Sequence, residues 1–197
     1  PETRITKPPY KFLNSYDEND VDIFFGRDND IVRSIQTLLS SKLTILYGKS
    51  GYGKTSLIRA GIVPRLSSND YFPIYARCLV DPAKSIKANA IDRLRLEKSR
   101  RLSQEVSRLQ QSMNKTLLEF FDELRATESR PLVVFLDQFE EFFISFGEAS
   151  RKQFELELAE CIDSSSVAAT FVLCLREDFL PELSELRKLR GIYGSQY

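Results

Sequence analysis

The stretch LTILYGKSGYGKTSLIRAG, Leu43 to Gly61, limits the folds open to this chain more than any other. An apolar run leads into it, three glycines fall within six residues at Gly48, Gly51 and Gly53, and Lys54, Thr55 and a helical apolar pattern follow. Glycine is costly to order and packs no side chain, so the cluster implies a backbone that must approach something closely. The spacing Gly48-x-x-x-x-Gly53-Lys54-Thr55 is that of a phosphate-binding loop. In such a loop the N–H groups from Ser50 to Thr55 turn inward as an anion nest, and a helix starting near Lys54 adds its positive end. Lys54 then reaches the β- and γ-phosphates, and the Thr55 hydroxyl ligates Mg²⁺. Gly48, Ser50, Gly51, Gly53, Lys54, Thr55 and Ser56 are the expected nucleotide positions. The rival is a glycine-rich turn that binds nothing. Against it, Leu43, Ile45 and Leu46 read as a buried strand before the loop, and Leu57, Ile58 and Ile62 have helical spacing after it.

Three further apolar runs read as strands: YFPIYARCL, PLVVFLD and VAATFVLCLR. They are continuous rather than alternating, as in parallel strands covered on both faces. The expected fold is therefore α/β, a P-loop NTPase three-layer sandwich with a mostly parallel sheet. DNDIVRSIQTLLSS, after Gly26, repeats apolar residues at helical spacing, and Pro64 is expected to end the loop helix. Leu102, Val106, Leu109, Met113, Leu117, Phe120 and Leu124 read as one long helical stripe. Packing on the sheet is the favoured use of that stripe, and a partner or oligomerisation helix is the alternative. Arg93, Arg95, Lys98, Arg100 and Arg101 read as a solvated face, because Asp92 and Glu97 interrupt them and no aromatics interleave.

Composition narrows the rest. A chain of 197 residues with 42% apolar content suffices for one α/β domain with a full core. Its formal charge is zero, so bulk electrostatics make no case for nucleic acid or an anionic membrane. It has no histidine, which excludes Ser-His-Asp and Cys-His catalysis within the chain. Cys78, Cys161 and Cys174 are far apart in sequence, which fits a reducing, cytoplasmic protein. No apolar run approaches the roughly 18 residues of a membrane span. Residues 1–25 read as an extended N-terminal segment anchored by YKFL, and 26–197 as the core; both ends read as cut from a longer protein.

A phosphate loop needs a carboxylate to hold the magnesium shell. Asp137 ends the run LVVFLD, which places it at the carboxyl edge of a parallel sheet, where ligands of such folds collect. Glu140 and Glu141 follow within a turn, and either carboxylate can orient or deprotonate an attacking water. The alternative is a helix N-terminus that favours negative charge. Arg176 ends the last strand, where a guanidinium can report on the γ-phosphate; the alternative is an ion pair with Glu177 or Asp178.

These residues together resemble the novel STAND NTPases of the first type, signalling ATPases related to the AAA+, NACHT and apoptotic ATPases. The resemblance lies in PYKFLNSYDENDVDIFFGRDNDI with its Phe24-Phe25-Gly26-Arg27-Asp28, in GKSGYGKTSLIRAGIVPRL, in VVFLDQFEEFF and in LCLREDFLPELSELRKL. It spans nearly the whole chain except roughly residues 80–130. Asp28 stands where the family usually has Glu, a change that touches only the local cap. The resemblance implies that Gly26 and Arg27 line the adenine side and that Arg176 is a sensor. It favours Glu140 slightly as the base. It also implies the inserted-strand order of AAA+ sheets, a fifth strand beside the loop strand and a winged-helix lid beyond it. No strand is legible between Arg187 and Tyr197, so the expectation is a core lacking that strand and lid, with the loop strand at an open edge. The implied function is an ATP/ADP switch whose slow, Mg²⁺-dependent hydrolysis controls assembly. Its implied partners are nucleotide, C-terminal winged-helix and repeat or effector domains, and further copies of itself on activation. The rivals are a P-loop small-molecule kinase and a nucleotide-binding module without turnover.

Overall fold

In the computed structural model, which describes residues 11–12, 14–98 and 103–189, the four apolar runs become β1 (Leu43–Gly48), β2 (Phe72–Arg77), β3 (Leu132–Asp137) and β4 (Ala169–Arg176). They form one parallel sheet in the order β1-β4-β3-β2. β4 is thus inserted between the loop strand and the strand that ends in Asp137, and β1 is an edge among the described residues. Parallel register aligns the strand ends: Gly48 lies opposite Arg176, and Arg77 opposite Asp137. One edge of the sheet therefore collects the glycine loop, the acid and two arginines.

Alternation along β3 shows how both faces are filled. Leu132, Val134 and Leu136 pack in one core cluster, and Val133 and Phe135 in the other, all fully buried. The first cluster is closed by α4 (Pro82–Lys98), α5 (Ser103–Gln111), α6 (Leu117–Arg125), α7 (Glu140–Ser145) and α8 (Glu148–Asp163). The second is closed by α1 (Asp28–Leu39) and by the helix after the loop, through Ile31, Leu38, Leu57, Ile58, Ile62, Val63 and Leu66. The layers are helix, sheet, helix. β1 is less buried than a doubly covered strand: Ile45 and Leu46 are half-buried and Tyr47 is exposed, as befits an edge.

Three elements differ from the sequence reading. Pro64 does not end the loop helix. That helix runs from α2 (Lys54–Ser56) through a π-helical turn (Leu57–Ile62) into α3 (Val63–Ser68). The Val63 N–H reaches back to the Ile58 carbonyl, so the hydrogen-bond ladder has already shifted where proline withholds its donor. The long stripe is broken. A 3₁₀ turn (Ser112–Asn114) separates α5 from α6, and Thr116 caps α6 in a capping box with Glu119. Leu109, Leu117, Phe120 and Leu124 are buried in the sheet-facing core, so packing is the role of the stripe where it is described. Finally, the segment before Gly26 is not extended throughout: Glu18–Ile23 is a 3₁₀ helix capped by Asp17, with Asp20 and Ile23 buried. The expectations on residues 1–10, on Arg100 and Arg101 and on residues 190–197 lie outside the described residues. Arg93, by contrast, is engaged: it pairs with Glu18 and Glu97 and donates to Ser67.

Gly61, inside the π turn, is where α1 meets the loop helix. A Cβ there would stand 2.8 Å from Ile31 Cγ1 and Cδ1, and Ile31 is itself buried. Overpacking costs about 1–3 kcal/mol, and the helix-propensity gain of alanine over glycine offsets about 1. Gly61→Ala is therefore expected to lower stability by about 1 kcal/mol, read as a lower urea midpoint at unchanged m-value.

Candidate functional site

The loop between β1 and α2 takes two left-handed residues, Gly51 at φ +79° and Gly53 at φ +76°. Side chains disfavour that conformation, which accounts for glycine at both positions. Lys54 folds back over the loop and donates from Nζ to the Gly48 carbonyl at 2.7 Å and the Lys49 carbonyl at 3.0 Å. Its ammonium is thereby held over the ring of backbone that the spacing predicts as an anion nest. Ser50 and Gly51 are exposed at the tip.

Thr55, on the first turn of α2, donates from Oγ1 to Asp137 Oδ2 at 2.7 Å across 82 positions of sequence. The hydroxyl proton is committed to the carboxylate, so the hydroxyl lone pairs stay available to a cation. Asp137 is 2% exposed, and its hydrogen-bond donors are neutral: Thr55, the Tyr75 hydroxyl at 2.7 Å on the same Oδ2, and the Gln138 N–H at 3.0 Å on Oδ1. Gln138 takes φ +56°, turning the chain sharply off β3 toward α7. Burial and the Asp137 carboxylate push the Tyr75 hydroxyl and the Cys174 thiol up, and both stay protonated through the neutral range.

Glu140 is the first residue of α7 and is 9% exposed; its Oε2 accepts the Arg176 N–H at 3.3 Å, at the end of β4. Glu141 turns away and accepts weakly from Ser145 at 3.4 Å. The Arg176 side chain pairs with Asp178, with Nε donating at 3.0 Å, and its guanidinium lies 5.5 Å from the Phe179 ring. The alternative stated for Arg176, an ion pair with Asp178, is present. At the other side of the loop, Gly26 at φ +81° turns the chain so that Arg27 Nη1 donates to the Tyr52 carbonyl at 3.3 Å. That contact sets the Gly26–Arg27 turn against the loop. Asp28 pairs with Arg65. Ser56, expected to face nucleotide, is buried, and its Oγ accepts the Tyr16 N–H at 3.1 Å, which ties the N-terminal segment to the loop helix.

Lys54, Thr55, Asp137 and Glu140 thus stand at one edge of the sheet, while Ser56 serves the N-terminal segment. Sequence reasoning missed Tyr75, which sits in an apolar strand with no motif around it. Its sole signal is its place two residues before the end of β2, level with Phe135 of β3. Among the described residues no cluster of three or more His, Cys, Asp or Glu could hold a metal, and no helix is long and apolar enough to cross a membrane.

A parallel sheet with a glycine loop, its lysine and hydroxyl, and an acid at the end of a neighbouring strand define an NTPase-type nucleotide-binding module of the P-loop class. Residues 9–196 match the family model Novel STAND NTPase 1, and the chain belongs to that family. No curated protein sequence matches the chain. Among solved structures it resembles the Walker-type ATPase PABY2304 of Pyrococcus abyssi, with a TM-score of 0.63 and 16% identity over 94% of this chain and 55% of that one. It also resembles the ORC2 protein of Aeropyrum pernix in its ADP form, with a TM-score of 0.58 and 16% identity over 92% of this chain and 50% of that one. At this identity the likeness is one of fold, and the chain spans about half the length of either structure.

Proposed function

We propose that the chain is the ATP/ADP-binding core of a STAND-type signalling switch, with slow Mg²⁺-dependent ATP hydrolysis controlling assembly. The observation that carries the reading is the hydrogen bond from Thr55 to buried Asp137, made by the residue that follows the lysine of the loop. Membership of the Novel STAND NTPase 1 family supports it. A hydroxyl and a carboxylate are the hard oxygen donors that Mg²⁺ takes beside phosphate oxygens, so Thr55 and Asp137 fit that ion. Held by Thr55 and Asp137, Mg²⁺ would supply positive charge that neutralises the charge developing on the phosphates. Lys54 supplies a fixed positive charge to the same phosphates, and the backbone from Ser50 to Thr55 supplies N–H donors. The Gly26–Arg27 turn borders the adenine. Arg176 would exchange Asp178 for the γ-phosphate and so distinguish ATP from ADP. ADP would hold the resting state, and ATP would permit contact with winged-helix, repeat or effector domains and with further copies of the chain.

Glu140 is the residue assigned to orient and deprotonate the attacking water. It is held by the end of β4, whereas Glu141 points to Ser145. The Glu140→Gln variant is expected to bind ATP as the wild type does and to hydrolyse it about a hundredfold more slowly. The Glu141→Gln variant should stay near the wild-type rate. Single-turnover hydrolysis by the full-length protein, with ATP affinity measured alongside, checks this. Equal rates for Glu140→Gln and the wild type would remove Glu140 from the role. Stoichiometric transfer of the γ-phosphate to a small acceptor rather than water would favour a kinase.

A further inference from the structure

The donors around Asp137 point to a residue that the loop chemistry does not name. Asp137 Oδ2 accepts two hydroxyls at equal distance, Thr55 Oγ1 and Tyr75 Oη, both at 2.7 Å. Oδ1 is held by the Gln138 N–H. The carboxylate is therefore fixed from three directions, by α2, by its own strand and by β2. The Tyr75 hydroxyl is oriented in turn. Arg77 Nε donates to Tyr75 Oη at 3.3 Å, so the phenol proton is directed onward to the carboxylate, which only accepts. Tyr75 lies level with Phe135, and Arg77 level with Asp137, on adjacent parallel strands. The ring packs against the same core cluster as the loop helix, with the Arg59 guanidinium 5.2 Å from its centroid. Tyr75 is thus clamped between the sheet and the helix that carries Thr55.

We infer that Tyr75, oriented by Arg77, is a positioning residue that holds the Asp137 carboxylate in the pose in which it and Thr55 receive Mg²⁺ with the nucleotide. This rests on the proposed reading of the loop as an ATP/ADP and Mg²⁺ site. The physical reason is geometric. Thr55 and the Gln138 N–H hold one oxygen each, and the Tyr75 hydroxyl, as a second donor on Oδ2, narrows the range over which the carboxylate can turn about its Cβ–Cγ bond. Partners of this kind behind metal-holding groups typically tune metal affinity about tenfold to a hundredfold. Tyr75→Phe removes the hydroxyl but keeps the ring, and with it the packing and the Arg59 contact.

The test is binding of fluorescent mant-ADP to the chain, first in EDTA and then with Mg²⁺ titrated in, with a thermal melt on each variant. The expected result for Tyr75→Phe is unchanged affinity in EDTA and a Mg²⁺ half-saturation point raised about tenfold. Arg77→Gln, at an exposed position, should raise the same point about threefold. If Tyr75→Phe does not fold, Arg77→Gln carries the comparison. An unchanged Mg²⁺ half-saturation point in the folded variants overturns the inference. So does a fall in EDTA affinity that accounts for the whole effect, since a merely structural residue would act that way. Failure of the wild type to bind mant-ADP more tightly with Mg²⁺ is a separate outcome, and it overturns the reading of the site together with this inference.

Discussion

Lys54→Ala is expected to lower ATP and ADP affinity at least about tenfold. Each charge-assisted hydrogen bond to a phosphate contributes about 1.5–3 kcal/mol, and 1.4 kcal/mol is a factor of about ten in affinity. Lys54 also has a role in the free loop, because its ammonium joins the Gly48 and Lys49 carbonyls. Its loss therefore loosens the loop and removes the charge, and both effects lower affinity. Both carbonyls lie in a partly exposed loop that water can reach, so stability should change little. Calorimetry of the wild type and the variant, with a melt of each, checks the prediction. Equal nucleotide affinities would show that the glycine loop is a turn with no ligand.

The loop, the strand before it and Asp137 were legible because their chemistry leaves few alternatives. A left-handed backbone at Gly51 and Gly53 selects glycine, and an acid closing a wholly apolar run can only stand at a sheet edge. All four strands were legible because β-strand runs in a covered sheet are continuously apolar. What escaped was set by tertiary contacts or by local devices that the apolar pattern masks. Pro64 has the ordinary signature of a helix end, yet the π turn before it had already displaced the ladder. The stripe from Leu102 to Leu124 keeps its period across a break, and that period masks the capping box Thr116–Glu119, written in the sequence as Thr-x-x-Glu. Ser56 follows the loop motif directly, but the Tyr16 backbone claims its hydroxyl from forty positions away. Tyr75 owes its place beside Asp137 to strand order alone, and no short-range pattern records strand order.

The same division bears on how the site is supported. The loop helix is anchored in one core cluster and α7, which carries Glu140, in the other. The two halves of the site can therefore be perturbed separately, although they meet at one edge of one sheet.

Phe142→Ala is expected to be the most destabilising substitution on the Glu140 side, at about 3–5 kcal/mol. Phe142 is fully buried and meets four rings: Phe139 stacked at 4.9 Å, Phe143 edge-on at 5.5 Å, Phe154 edge-on at 5.5 Å and Phe146 at 5.9 Å. A helix as short as α7 does not hold itself in water. It is held by this cluster and by the Phe139 N–H on the Cys174 carbonyl at 2.8 Å. Domains of this size are stable by about 5–15 kcal/mol, so the alanine variant should lose about a fifth or more of that margin, read from urea midpoints. Phe142→Leu, which keeps much of the volume, should cost about 1–1.5 kcal/mol and leave the protein folded for functional measurement. In that variant α7 can shift against the sheet while the loop, packed in the other cluster, stays in place. ATP hydrolysis by the full-length protein should then fall while ADP affinity holds. If ADP affinity fell in step with hydrolysis, the aromatic cluster would be supporting the whole site, and the independence of its two halves would be lost.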